Sequence, residues 1–435
     1  MNTPNLSHHW LPFTANRAFG TDPRLIVGAE GVHYVDADGR RVLDGISGLF
    51  CVPAGHGRPE IAAALSEQVH RLDFSPTFQF AHPDGFTLAE KLTGILPPGL
   101  DRIFFVNSGS ESVETALKGA LAYHRARGDA GRTRFVGRER AYHGVNFGGL
   151  SVGGLVKNRE MFGPGLPGVS HMRATWTPEQ AFGWGQPSSG RDLAEDLQRA
   201  VNLYGGSSIA AVIVEPIAGS SGGVIAPPEG YLERLAEIAA AHGILLIFDE
   251  VITGFGRTGH AFASHAFGVT PDIMTMAKAL TNGAVPMGAV AFRRGVYDAV
   301  IEAGPPEGVE FPHGYTWSAH PLACAAALAA LRIYRDEGLF QRAAKLALTL
   351  REAVSGLKGA GPISDIRGYG LLAGVELEPD GPAGHRGTDV LKALFAGGLV
   401  ARLSGDTIIL APPFVASDDE VREMVEVVRA VVGAL

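Results

Sequence analysis

The chain reads as an α/β protein built on a doubly wound, mostly parallel sheet, with a smaller α+β unit at its C-terminal end. Two observations carry this reading. From about Pro59, short apolar runs alternate with segments of helical periodicity, the pattern of βα units. Those runs are apolar throughout, as expected of parallel strands buried on both faces. The alternation gives way near Tyr315 to two helical stretches followed by short strand signals, which mark the second unit.

Taken in order, residues 1–57 form a mixed N-terminal segment expected to pack with the small C-terminal domain. Within it, residues 31–44 alternate apolar and polar positions around an Ala-Asp-Gly-Arg turn, a hairpin pattern. Residues 58–314 form the large domain. Its expected strands are 103–107, 135–138, 209–215, 244–249 and 287–292, with a further apolar stretch at 272–277. Residues 111–125 and 231–242 have amphipathic helical spacing. Residues 315–435 form the small domain, with helices at 322–335 and 341–357, strands at 371–377 and 407–410, and a terminal helix from Asp418. Segments 177–190 and 219–230 are rich in Gly, Ser and Pro and read as loops.

Composition excludes several functions. With 46% apolar and 19% charged residues, 435 in all, the chain can bury a large core and is not disordered. A net charge of −8 provides no basic surface for nucleic acid. Two cysteines, Cys51 and Cys324, exclude a disulfide framework and fit a reducing, cytoplasmic setting. The opening residues have neither the basic nor the apolar region of a signal peptide, and no apolar run is long enough to span a membrane. No His, Cys and Asp cluster has zinc spacing, so no metal is expected.

Chemistry gathers where the strands end. The run 244–249 closes on Asp249, and the stretch 272–277 delivers Lys278 in a nearly uncharged segment. A carboxylate and an amine at the ends of core strands are costly unless something pairs with them. Pyridoxal phosphate would pair with both, because its ring nitrogen needs an anion and its aldehyde an amine. Asn107-Ser108-Gly109-Ser110-Glu111 lies between a strand and a helix, where small residues and the helix dipole favour an anion such as phosphate. Tyr142, before His143 and Gly144, could stack on a flat ring. Each signal has a plainer reading: Ser110 as a helix N-cap, Asp249 as an N-cap or magnesium ligand, Lys278 as a surface lysine, Tyr142 and His143 as structural residues. One ligand accounts for all of them together.

At this point the motifs resemble a family. VNSGSESVETALKG (106–119), AYHG (141–144), VEPI (214–217), LIFDEVITGFGRT (246–258), PDIMTMAKAL (271–280) and GYTWSAHP (314–321) resemble the class III, fold type I pyridoxal-phosphate aminotransferases over nearly the whole chain. The nearest type is the ω-amino acid:pyruvate, or β-alanine:pyruvate, aminotransferase. The resemblance implies a fold type I large domain with a seven-stranded sheet. It implies that Lys278 forms the aldimine with the cofactor and then shuttles the proton, and that Asp249 holds the pyridine nitrogen. Gly109 and Ser110 would bind the phosphate, with Ser108 and His143 in the same cofactor-binding set. Tyr142 and Val251 would cover the two ring faces, and Glu215 would support the polar edge. Thr316 would reach the cofactor phosphate of a neighbouring subunit and Phe78 would be lent across the same boundary. That implies a homodimer with shared active sites, or a tetramer of such dimers.

The resemblance also bears on substrates. Family members that use glutamate with ornithine or γ-aminobutyrate carry a glutamate–arginine salt bridge at positions that correspond here to Ser220 and Ile409. Arg402 instead matches the mobile arginine of the ω-type enzymes, which pairs with the carboxylate of pyruvate or an amino acid. In Gly48-Leu49-Phe50-Cys51, Phe50 stands where those enzymes usually have tryptophan, implying a differently shaped substrate pocket. The implied reaction is ping-pong transfer of an amino group from an ω-amino acid or primary amine to pyruvate. The alternatives are an aminomutase or decarboxylase using the same cofactor, or a non-catalytic ligand-binding protein on the same fold.

Overall fold

The computed structural model describes residues 5–382 and 384–435. Its centre is a seven-stranded sheet in the order Leu100–Val106, Gly288–Arg293, Ile273–Met276, Leu245–Asp249, Ile209–Val214, Arg134–Arg138, Val169–Met172. Gly288–Arg293 is antiparallel to both its neighbours, and the other pairings are parallel. Six strands therefore point one way and present their carboxyl ends on one edge. The interior strand Ile209–Val214 is buried at all six positions, which explains its unbroken apolar sequence.

The helix Gly109–Ala126 shows how local sequence sets the site. Ser108 is its cap: the hydroxyl accepts from the Glu111 backbone N–H at 3.2 Å, and the Glu111 carboxylate accepts from the Asn107 N–H at 2.7 Å. The cap thus falls two residues before Ser110, the capping residue considered from sequence. Val113, Ala116, Leu117 and Ala120, at helical spacing, bury their side chains beside Ile213, Ile273 and Val290 of the sheet. Gly119 admits the Phe292 ring so closely that an added Cβ would lie 2.5 Å from it.

Two smaller sheets complete the molecule. Ile26–Glu30, His33–Asp36 and Arg41–Asp44 form an antiparallel meander that includes the expected hairpin, and Leu399–Val400 adds to it in parallel. Ile363–Tyr369, Leu372–Leu377, Thr407–Leu410 and Arg402–Ser404 form an antiparallel sheet in that order. The chain thus changes sheets at Ala401, immediately before Arg402. Helices Leu339–Ser355 and Asp418–Gly433 belong to this end of the chain, and Ser417 caps the latter with Glu420 in a reciprocal capping box. No helix among the described residues is long and apolar enough to cross a membrane.

Candidate active site

A cavity of about 310 Å³, at the small end of ligand pockets, opens at the carboxyl edge of the large sheet. Segments after five of the strands supply walls: Asn107–Ser110, Tyr142–Gly144, Glu215, Asp249 with Val251 and Ile252, and Ala277–Lys278. Six of the strands point this way, so the residues following them converge, as expected for open α/β sheets.

Asp249 is buried, and its carboxylate is held from three directions. Oδ2 lies 2.8 Å from His143 Nδ1, and Oδ1 accepts from Thr275 Oγ1 and from the Val251 N–H, each at 3.1 Å. A carboxylate has about four acceptor sites, so one more donor can be accommodated. Asp249 caps no helix. The neighbouring Glu250 does that work at the start of Ala263–Phe267, accepting from the Ala263 and Ser264 N–H groups at 2.5 and 2.8 Å. Glu215 is buried as well: Oε1 accepts from the Tyr142 N–H at 2.9 Å, and burial pushes its carboxyl above the usual range.

Lys278 is half-buried at φ +47°, a region that non-glycine residues rarely occupy. Its ammonium lies 5.2 Å from the Phe50 ring centroid, and burial holds its pKa below the usual lysine value. It is not a solvated surface lysine. Tyr142 lines the cavity with its hydroxyl pushed up by burial. Gly109 is small for a reason: a Cβ there would come within 2.9 Å of Val251 Cγ1. The Ser110 hydroxyl accepts from the Val145 N–H at 3.1 Å, and Gly144, at φ +94°, lets that backbone approach Ser110.

Other candidates lie off the cavity wall. Phe50 is 2% exposed, behind Lys278. Phe78 is 56% exposed and Thr316 is also exposed; Phe78 packs beside Gly314, so the two segments share one surface. Arg402 is half-buried, its Nε has no hydrogen-bond partner, and burial depresses its pKa. It pairs across the sheet with Ile409, so the two occupy the same face of one antiparallel pair. Ser220 sits in a turn closed by the Gly223 N–H to its carbonyl at 3.2 Å. Sequence reasoning missed Thr275, which faces Asp249 in register and stands out as a hydroxyl within the apolar run Ile273–Met276. It also missed Cys51, which lines the cavity and gave no separate signal.

The Aminotransferase class-III model matches residues 15–432. The chain belongs to the class III aminotransferases. An ω-aminotransferase of Caulobacter vibrioides is 53% identical over 431 residues, covering 99% of this chain and 98% of that one. A β-alanine–pyruvate aminotransferase of Pseudomonas aeruginosa is 48% identical over 427 residues, covering 98% and 95%. Among solved structures, an amine transaminase from an uncultivated Pseudomonas species in its PLP-bound form superposes with TM-score 0.91 at 37% identity, over 100% of both chains. This aminotransferase has a cavity whose donors fit pyridoxal phosphate: a carboxylate with spare acceptor capacity, an amine of lowered basicity, and a glycine-bearing helix N-terminus closed against Val251.

Proposed function

We propose that the chain binds pyridoxal phosphate and transfers an amino group from an ω-amino acid, such as β-alanine, or from a primary amine to pyruvate. Bound pyridoxal phosphate supplies an aldehyde that carries the amino group and a ring that accepts an electron pair. Lys278 Nζ holds the aldehyde at rest, and Asp249, oriented by His143 and Thr275, pairs with the ring nitrogen. Ser108, Gly109 and Ser110 hold the phosphate at the helix N-terminus. Tyr142 and Val251 cover the two faces, and Glu215 fixes the Tyr142 backbone.

Once displaced by the incoming amine, Lys278 Nζ takes the proton from the amine-bearing carbon. Its lowered basicity keeps a neutral fraction available for that step. Hydrolysis by water then releases an aldehyde, ketone or keto acid, and pyruvate receives the amino group by the reverse sequence, giving up its oxygen as water and leaving as alanine. Arg402 clasps the carboxylate of pyruvate or of the ω-amino acid in a bidentate pair. Thr316 and Phe78, on one exposed surface away from the cavity, extend into the site of a second copy, so the enzyme works as a homodimer with shared sites.

The meeting of Asp249 and Lys278 at one cavity carries this reading. The test is transfer of heavy nitrogen from labelled β-alanine to pyruvate. Labelled alanine, formed only with cofactor present, is the expected product. Release of ammonia or carbon dioxide without alanine would point to different chemistry.

A further inference from the structure

One fully buried carboxylate, Asp44, takes no part in the site described above, yet it organises a segment that ends there. Oδ1 accepts from the Ile46 N–H at 3.1 Å; Oδ2 accepts from the Gly48 N–H at 2.6 Å and lies 2.8 Å from His56 Nε2. The Tyr34 ring lies against the His56 ring, with centroids 4.5 Å apart. The backbone so held is strained: Ser47, Gly48 and Phe50 have φ of +50°, +71° and +64°. A non-glycine residue in that region costs about 1–3 kcal/mol and persists only where its surroundings over-determine it. Further anchors do so here. Ser47 Oγ donates to the Ala411 carbonyl at 2.7 Å and accepts from Arg257 Nη2 at 3.0 Å, and buried Arg257 also donates to the Pro412 carbonyl at 2.8 Å. The strained turn places the Phe50 ring 5.2 Å from Lys278 Nζ, within reach of a cation–π attraction, and sets Cys51 on the cavity wall.

We infer that Asp44 and His56 are positioning residues for the Lys278 amine, clamping the Ile46–Cys51 turn so that the Phe50 ring face stays against Nζ. The inference rests on Lys278 being the reactive amine. Burial pushes that amine toward its neutral form, whereas the aromatic face favours the ammonium, so the ring sets the balance between accepting and returning a proton. Titratable groups that act on Lys278 include Cys51, Asp249, Glu215 and Arg402. Asp44 bonds to the turn through the Ile46 and Gly48 N–H groups, and the turn carries Phe50 to the amine.

The test measures the Lys278 pKa in full-length, cofactor-free protein, by the pH dependence of its acetylation mapped by peptide mass spectrometry. Phe50→Leu is expected to lower that pKa by about 0.5–1.5, the loss of a desolvated cation–π contact. Asp44→Asn should lower it in the same direction. The double variant should go no lower than Phe50→Leu alone, because both act through one contact. Should Asp44→Asn fail to fold, the His56 pair makes the same comparison: His56→Leu lowers the pKa, and His56→Gln, which keeps an N–H for Asp44, restores it. The inference is overturned if Phe50→Leu has no effect, if the Asp44 and His56 variants leave the pKa unchanged, or if the Phe50 and Asp44 shifts add. Failure of the underlying reading would look different: Lys278→Ala would still transfer amino groups.

Discussion

Lys278 is held in a conformation and an environment that neither its charge nor its backbone prefers. Its pKa lies below the usual lysine value of 10.5 because burial penalises the ammonium. Between the folded value and 10.5 the unfolded chain binds more protons than the folded one, so stability without cofactor rises with pH through that window. Lys278→Met removes the group. Cofactor-free Lys278→Met should therefore melt above wild type near about pH 8, with the gap closing above about pH 10.5, as followed by calorimetry. An equal gap at both pH values would mean that the amine is not strained by burial. The role proposed for Arg402 is tested separately. Arg402→Ala should lower kcat/KM for pyruvate and β-alanine by about 10- to 100-fold, the loss of a charge-assisted carboxylate pair, and spare carboxylate-free amines. Steady-state kinetics with both donor types checks this, and equal losses would remove the role given to Arg402.

At the scale of elements, the site depends on close backbone approach. Gly288 opens the one reversed strand of the large sheet, and a Cβ there would lie 2.5 Å from the Ser108 carbonyl oxygen and 2.6 Å from Ser112 Oγ. Gly288→Ala should cost about 1–3 kcal/mol through overpacking. It should also loosen cofactor binding, because the displaced segment is the Ser108–Ser110 loop; a melting curve and a cofactor titration measure the two effects. The buried parallel strands were legible because they are apolar from end to end, as in Ile209–Val214. Three of the strands that escaped notice are short or polar for local reasons. Val169–Met172 lies at the sheet edge and carries Ser170 and His171. Ile363–Tyr369 hides its alternation because Asp365 and Arg367 are buried together as an ion pair at 2.5 Å. Arg402–Ser404 is a three-residue edge strand. Burial cost drew attention to Asp249 and Lys278 in the sequence, where an N-cap and a surface lysine stood as the plainer readings, whereas the roles of Ser108 as cap and Glu250 as helix anchor depend on which carboxylate and hydroxyl reach which N–H group. No sequence period encodes that.

For the whole molecule, the cavity contains the residues that would hold the cofactor but omits Phe78 and Thr316, which sit on an exposed surface. A homodimer with shared sites has a direct consequence. Lys278→Ala and Thr316→Asp would each spoil a different half of a composite site, so hybrids of the two variants contain one intact site. Co-expression should restore roughly a quarter of the wild-type sites, whereas mixing the separately purified variants restores none. Activity assays on the two preparations check this; equal inactivity of both would mean that Thr316 does not serve the partner's site, and an active Thr316→Asp variant would place Thr316 outside the site. The central claim, that Asp249 and Lys278 form the two ends of one pyridoxal-phosphate site for amine transfer to pyruvate, is tested most directly by borohydride reduction of the cofactor-loaded protein followed by peptide mapping. The expected result is a phosphopyridoxyl group on Lys278 Nζ alone, lost when the protein is first treated with β-alanine and regained after pyruvate. A label on another lysine, or one that β-alanine does not remove, would contradict the account.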